Sequence, residues 1–294
     1  MSIAPYFPYR SEKAKAEYLV FLDRMAKDWP IPQETRMVLT AYGETFVRIG
    51  GPAEAEPLVL LPGINTTSLL WAPNIAALSQ RYRTYAVDMM GDIGRSVSTR
   101  RIRDTGNLMS WLDELFRELK LKDGFHLLGV SYGGWAAAQY GLRFSKRLGK
   151  LVLLAPAASV LPTNIQFYLR AIPMLTRTRS AARGMVRWLM EDLARKDPAR
   201  LELSLDRVMM TMACLRPHRV PGPNLLTDDE WQSFSMPVLF VVGEHEKIYS
   251  ASKAIERLKN VAPQVRTQIV AAAGHDLTVV QPEIVSRAIL EFLA

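Results

Sequence analysis

The chain is poor in cysteine and histidine and has no long apolar run. Cys214 is the only cysteine. One thiol closes no internal disulfide and cannot build a cysteine-based metal site, so no metal centre is expected. No stretch approaches 18 uninterrupted apolar residues, which excludes a stable membrane-spanning helix from the expectation. The start, Met1-Ser2-Ile3-Ala4-Pro5-Tyr6, runs into the charged segment 11–15 without the apolar core of a signal peptide. That predicts a cytoplasmic protein, or a mature form whose signal has been removed. No internal repeat or low-complexity tract interrupts the chain.

The 294 residues are 49% hydrophobic and 22% charged. They suit one large domain, or a core carrying an inserted subdomain. The formal charge is +8. Much of the excess lies between Arg170 and Arg219, on Arg177, Arg179, Arg183, Arg187, Arg195, Lys196, Arg200, Arg207 and Arg216. The plain reading is a solvated helical face. The sharper one is attraction for anionic substrates or membrane surfaces. No nucleic-acid-reading motif accompanies the charge, so no nucleic-acid partner is expected.

Residues 1–35 read as an N-terminal helical extension, with a helix over 12–29 stopped by Pro30 and Pro32. It is expected to pack on the core, the alternative being an interfacial helix. From residue 36 a β/α alternation begins. Segments 37–40 and 45–49 read as a hairpin around Gly43. Segment 57–61 is a continuous apolar strand, as a doubly covered parallel sheet demands. A helix over 69–81, a strand over 83–87, an amphipathic helix over 107–119, a strand over 124–128, a helix over 132–144 and a strand over 150–155 follow. Residues 157–235 then offer helical spacing at 163–176, 179–196 and 199–215 but no strand, and Pro217, Pro221, Gly222 and Pro223 mark a loop. Strands at 238–242 and 264–270 and helices at 250–261 and 282–292 resume the rhythm. The prediction is an α/β protein with a mostly parallel, doubly wound sheet. Its core is formed by 36–156 and 236–294, with a helical cap inserted at 157–235.

Gly129-Val130-Ser131-Tyr132-Gly133 reads G-x-S-x-G between a buried strand and a helix. Chance alone puts that pattern in roughly one chain in ten of this length. Its context is the sharp turn that presents a serine hydroxyl as a nucleophile. A side chain at either glycine would strike the neighbouring strand or helix. A serine needs a base, and the base an acid to fix its tautomer. There are four histidines. His275, in a small-residue loop after the last predicted strand, is the base expected to reach Ser131. His126 lies inside the strand before Ser131 and reads as a core residue. His218 falls in the loop after the helical segments, where a surface role is expected. His245 follows a strand end and could face the cleft. The acid is sought at the carboxyl end of another strand, which leaves Glu246 and Glu244. Asp276 adjoins His275 and is poorly placed to reach its far nitrogen. The oxyanion hole needs two backbone N–H groups. Tyr132 supplies one and Ile64 the other, with Asn65 as an alternate helper.

Four ordered blocks together resemble the α/β-hydrolase family over residues 36–294. They are Leu60-Leu61-Pro62-Gly63, the D-x-x-G-x-G-x-S turn from Asp88 to Ser96, the Ser131 elbow, and Gly243-Glu244-His245-Glu246 with Gly274-His275. Segment 71–88 is similar to bacterial serine carboxylesterases with an N-terminal helical extension. Two departures stand out. The family often carries His where this chain has Pro62. Its acid is usually Asp, where Glu246 stands here; Glu246 is therefore first choice and Glu244 second.

The resemblance implies a serine esterase working through an acyl-enzyme without cofactor or metal: Ser131 nucleophile, His275 base, Glu246 acid. The expected partner is a small, apolar ester. Met174, Met185, Met190, Met209, Met210 and Met212 read either as an adaptable apolar pocket or as packing between helices. Two alternatives stay open. One is the same triad acting on a lactone, an amide or a C–C bond, or as an acyltransferase. The other is a non-catalytic binding protein on this fold, which a filled triad disfavours. The sequence leaves oligomeric state open.

Overall fold

The computed structural model describes residue 4 and residues 7–216 and 220–294. Pro217, His218 and Arg219 lie outside these residues, as do 1–3, 5 and 6 of the segment read for a signal peptide.

Nine strands among the described residues form one sheet. They are β1 (Glu34–Thr40), β2 (Gly43–Gly50), β3 (Pro57–Leu61), β4 (Arg83–Val87), β5 (Val97–Ser98), β6 (Phe125–Val130), β7 (Leu148–Leu154), β8 (Val238–Gly243) and β9 (Arg266–Val270). The order is β1-β2-β4-β3-β6-β7-β8-β9, with β5 paired to β2. The β1–β2 hairpin and the β2–β4 and β2–β5 pairs are antiparallel. Every pair from β4 to β9 is parallel.

The central strands are mostly apolar on both faces because both faces are covered. Val59, Leu61, Leu127, Leu151, Leu153 and Phe240 join one cluster, with Trp111, Phe116 and Trp135. Leu58, Leu60, Leu128, Val152, Leu154 and Val241 join the other, with Trp71, Ile75 and Ile289. Burying one such side chain contributes about 1.5–3 kcal/mol. The sheet thus divides two cores, as the expected doubly wound architecture requires.

The helices are α1 (Glu12–Ala26), α2 (Ala72–Ser79), α3 (Thr105–Glu118), α4 (Tyr132–Arg143), α5 (Ile165–Ala171), α6 (Arg179–Leu189), α7 (Glu191–Lys196), α8 (Pro198–Cys214), α9 (Asp228–Gln232), α10 (Ala251–Val261), α11 (Leu277–Val280) and α12 (Pro282–Leu293). Helices α5 to α9 all lie between β7 and β8. None of the described helices is long and apolar enough to cross a membrane.

The differences from the sequence reading have local causes. The helix expected over 69–81 is a 3-10 turn, Ser68–Trp71, followed by α2. Pro73 has no N–H to return to Leu69, so the helix restarts. Pro173 acts likewise: α5 passes into a 3-10 run at Ile172–Thr176. The helix expected over 179–196 breaks at Met190, which leaves helical geometry (φ −114°, ψ 47°) and separates α6 from α7. The short elements β5, α9 and α11 were not anticipated. For α9 the sequence did carry a signal, because Thr227 and Glu230 form a reciprocal capping box.

The N-terminal helix joins a small cluster of its own. Ser11 caps α1 by accepting the Ala14 N–H. Its Tyr18 and Leu22 are buried with Tyr9, Ile93, Cys214 and Leu215. Tyr18 Oη lies 3.2 Å from Thr211 Oγ1. α1 therefore packs on the end of α8 and on the turn after β4.

At the switch point of the sheet, β3 lies between β4 and β6. Connections diverge to either side there and leave a crevice at the strands' carboxyl ends. Leu61 pairs with Gly129, so the loops after β3 and β6 emerge side by side. The loops after β8 and β9 emerge at the same edge, where Gly243 pairs with Val270.

Candidate active site

The turn from β6 into α4 is built by glycine. A Cβ on Gly129 would lie 2.1 Å from Gly133 O, and one on Gly133 would lie 2.4 Å from Leu61 O. Both positions collide with backbone, as the sequence reading required. Ser131 takes φ 54° and ψ −117°, a strained region costing about 1–3 kcal/mol for a residue with a Cβ. Its neighbours over-determine it. Ser131 N–H donates to Leu154 O at 2.9 Å, and its carbonyl accepts from Trp135 and Ala157, each at 3.0 Å.

The strained turn brings three distant side chains together. His275 Nε2 lies 2.9 Å from Ser131 Oγ. His275 Nδ1 lies 2.9 Å from Glu246 Oε2 and 3.1 Å from Oε1. An Nδ1–H donating to the carboxylate leaves Nε2 free to accept the serine hydroxyl. The Glu246 side chain is fully buried. Its Oε1 also accepts the Lys247 and Ile248 N–H groups, each at 2.8 Å. Burial by itself would push the His275 imidazole down. The Glu246 charge and hydrogen bond, with Asp276 nearby, instead hold it above the ordinary histidine value.

The loop after β8 sends four consecutive side chains to three places, the Ala272 amide, α7 and His275. Glu244 Oε2 accepts the Ala272 N–H at 3.0 Å. Glu244 therefore steadies the loop carrying His275 instead of reaching its ring. His245 does not face the cleft: its Nδ1 lies 3.0 Å from both Asp192 oxygens, on α7. Glu246 meets His275. Lys247 Nζ lies 2.5 Å from Glu191 Oε2, again on α7.

The base loop grips the same helix. Buried Asp276 accepts the Leu193 N–H at 3.0 Å and the Gly274 N–H at 3.2 Å. Burial raises its pKa against those donors. Lys196 Nζ donates to Val280 O at 2.7 Å. Sequence reasoning missed Asp192 and Asp276 as positioning residues. Their partners are remote in the chain, and no local pattern announces such a contact.

The Ile64 and Tyr132 N–H groups have no partner among the described residues. Asn65, the alternate helper, has its backbone amide engaged elsewhere. Its N–H donates to Asp92 Oδ2 at 2.8 Å and is not available to a substrate. Asn65 sits at φ 55°, which asparagine tolerates better than most residues. The turn between Asp88 and Ser96 is the buttress for this loop. Buried Asp88 accepts the Ser68 N–H at 2.7 Å and the Arg95 N–H at 2.9 Å. Burial raises its pKa despite these bonds.

The other candidates fall outside the site. His126 is buried at the start of β6, 3.4 Å from Glu56 Oε2, and burial pushes its pKa down. Cys214 is buried against α1. No group of His, Cys, Asp and Glu among the described residues could hold a metal ion. Of the methionines, Met190 and Met210 pack into hydrophobic clusters.

A profile of the alpha/beta hydrolase family matches residues 58–288. Carboxylesterase YbfK of Bacillus subtilis (strain 168) is 34% identical over 278 residues, covering 92% of this chain and 91% of that protein. The uncharacterized carboxylesterase nap of the same organism is 32% identical over 266 residues, covering 90% of this chain and 88% of that protein. Among solved structures, naproxen esterase (carboxylesterase NP) from Bacillus subtilis is similar at TM-score 0.88 and 28% identity. That match covers 97% of this chain and 100% of the other.

Proposed function

The chain belongs to the alpha/beta hydrolase family and is a carboxylic ester hydrolase, and we propose that it works through an acyl-enzyme formed on Ser131. Ser131 Oγ attacks the ester carbonyl while His275 Nε2 takes its proton. Glu246 fixes the Nδ1–H tautomer and offsets the imidazolium charge. The Tyr132 and Ile64 N–H groups receive the developing oxyanion; losing one such donor costs roughly 3 kcal/mol of transition-state stabilisation. His275 then protonates the leaving alcohol. Water, deprotonated by the same nitrogen, attacks the acyl carbonyl and releases the acid and free Ser131.

The observation carrying this reading is the unbroken chain Ser131 Oγ, His275, Glu246, with both contacts at 2.9 Å. We further take residues 157–235 as a helical cap over the crevice. The grip of the Glu246 and His275 loops on α7 supports that assignment. The substrate is a small ester with an apolar acyl or alcohol part.

A panel of p-nitrophenyl esters of increasing chain length, run on wild type and on Ser131→Ala, tests the proposal. Hydrolysis by the variant at the wild-type rate would remove Ser131 from the mechanism. A flat profile across chain lengths would remove the apolar pocket.

A further inference from the structure

One exposed apolar surface contributes no side chain to the hydrogen bonds of the triad. Along α5 and the 3-10 run that continues it, Ile165, Tyr168, Leu169, Ile172 and Leu175 are 54–81% exposed. Positions 165, 168, 169 and 172 follow spacings of three and four, so they form one stripe on one helix face. Scattered exposed apolar residues need no explanation, but a contiguous stripe does.

The stripe is held outward by its other face. Phe167 packs against Trp188, with ring centroids 6.4 Å apart. The Arg170 guanidinium lies over the same indole at 5.2 Å. Asn164 N–H donates to Ile248 O at 2.6 Å, which ties the start of α5 to the loop bearing Glu246.

The charge carried by this stretch of the sequence has one sign. Residues 161–190 contain five arginines and no aspartate or glutamate. Arg179 and Arg183 are ion-paired with Glu202 and Asp206 on α8. Arg170, Arg177 and Arg187 make no ion pair among the described residues. A second copy of the chain is disfavoured on this face, because it would set one arginine group against another.

We propose that the exposed stripe 165–175, with Arg177 and Arg187 near it, docks on an anionic lipid surface. Leucine and isoleucine enter the acyl boundary, and Tyr168 sits at the headgroup level. The unpaired guanidinium groups meet lipid phosphates. The helix lies in the interface and spans nothing. The inference is independent of the catalytic reading, since binding is read without turnover.

The test is flotation of the full chain with vesicles. Phosphatidylcholine alone is compared with phosphatidylcholine holding about 30 mol % phosphatidylglycerol, at about 50 mM and about 500 mM salt. Binding to the anionic vesicles at low salt is expected to exceed the other conditions at least about tenfold. Leu169→Ser with Leu175→Ser, and separately Arg177→Gln with Arg187→Gln, should each weaken that binding by about tenfold. Both variants should keep wild-type Tm and p-nitrophenyl acetate hydrolysis. Equal binding to both vesicle types, absence of flotation, or unchanged binding in either variant overturns the proposal. So does a dimer in sedimentation that the leucine variant dissociates while wild type ignores the vesicles.

Discussion

Glu246 faces His275 with both oxygens, at 2.9 and 3.1 Å from Nδ1, while its own Oε1 is held by two backbone amides. The carboxylate is thus fixed before the imidazole needs it. Glu246→Gln is expected to lower kcat about 10⁴-fold, by presenting the wrong partner to Nδ1–H. Glu244→Gln, which only loosens the Ala272 contact, should cost less than about tenfold. Steady-state kinetics on p-nitrophenyl butyrate separates them. Equal losses would mean that the two glutamates share the acid's role.

The same pair sets the pH profile. His275 must be neutral to accept the serine proton, and its pKa lies above the ordinary histidine value. Activity is therefore lost as pH falls through that raised value. The acid limb of kcat/KM should sit above the ordinary histidine range and move to lower pH in Glu246→Gln. A limb that stays in place in the variant would contradict the assignment.

Ser131→Ala should reduce kcat on the order of 10⁴–10⁶-fold with KM little changed. It should also abolish labelling by a fluorophosphonate. Mass spectrometry of the labelled wild-type protein should place the adduct on the peptide containing Ser131.

Gly133→Ala puts a Cβ 2.4 Å from a backbone carbonyl of β3. Backbone cannot yield as a flexible side chain can. The variant is expected to lose more than about 3 kcal/mol of stability, read as a lowered urea midpoint. Gly91→Ala has open space at its Cβ. It should cost only the strain of a positive φ, about 1–2 kcal/mol.

Asp276→Ala leaves the buried Leu193 and Gly274 amides without an acceptor. It should destabilise by about 1–3 kcal/mol. It should also expose the chain around α7 to proteolysis at concentrations that leave wild type intact. A variant as resistant as wild type would show that α7 is held elsewhere.

Much of this was legible in the sequence because the core strands are so uniform. Short apolar runs such as Leu58-Val59-Leu60-Leu61, recurring between helical segments, fit doubly covered strands, and the G-x-S-x-G pattern after one of them marks its turn. Ser131 and His275 could be paired because few histidines compete. The choice between Glu246 and Glu244 rests, in the sequence, on the family resemblance alone, which ranks Glu246 first. Adjacent side chains of an irregular loop obey no period, and only the tertiary geometry shows that one turns to His275 and the other to Ala272. The engagement of the Asn65 amide is hidden from the sequence for a related reason: the Asp92 carboxylate that takes it belongs to another loop. The breaks at Pro73 and Pro173 could have been read, whereas the break at Met190 has no local signal.

The alternation of His245, Glu246 and Lys247 between α7 and the imidazole has an engineering consequence. A chimera that imports helices from another esterase would leave His245, Lys247 and Asp276 facing foreign residues. It would disturb the seat of Glu246 and His275 without touching either. Transplants meant to change substrate range should therefore carry residues 244–247 and 274–280 with the new helices, as one exchangeable module.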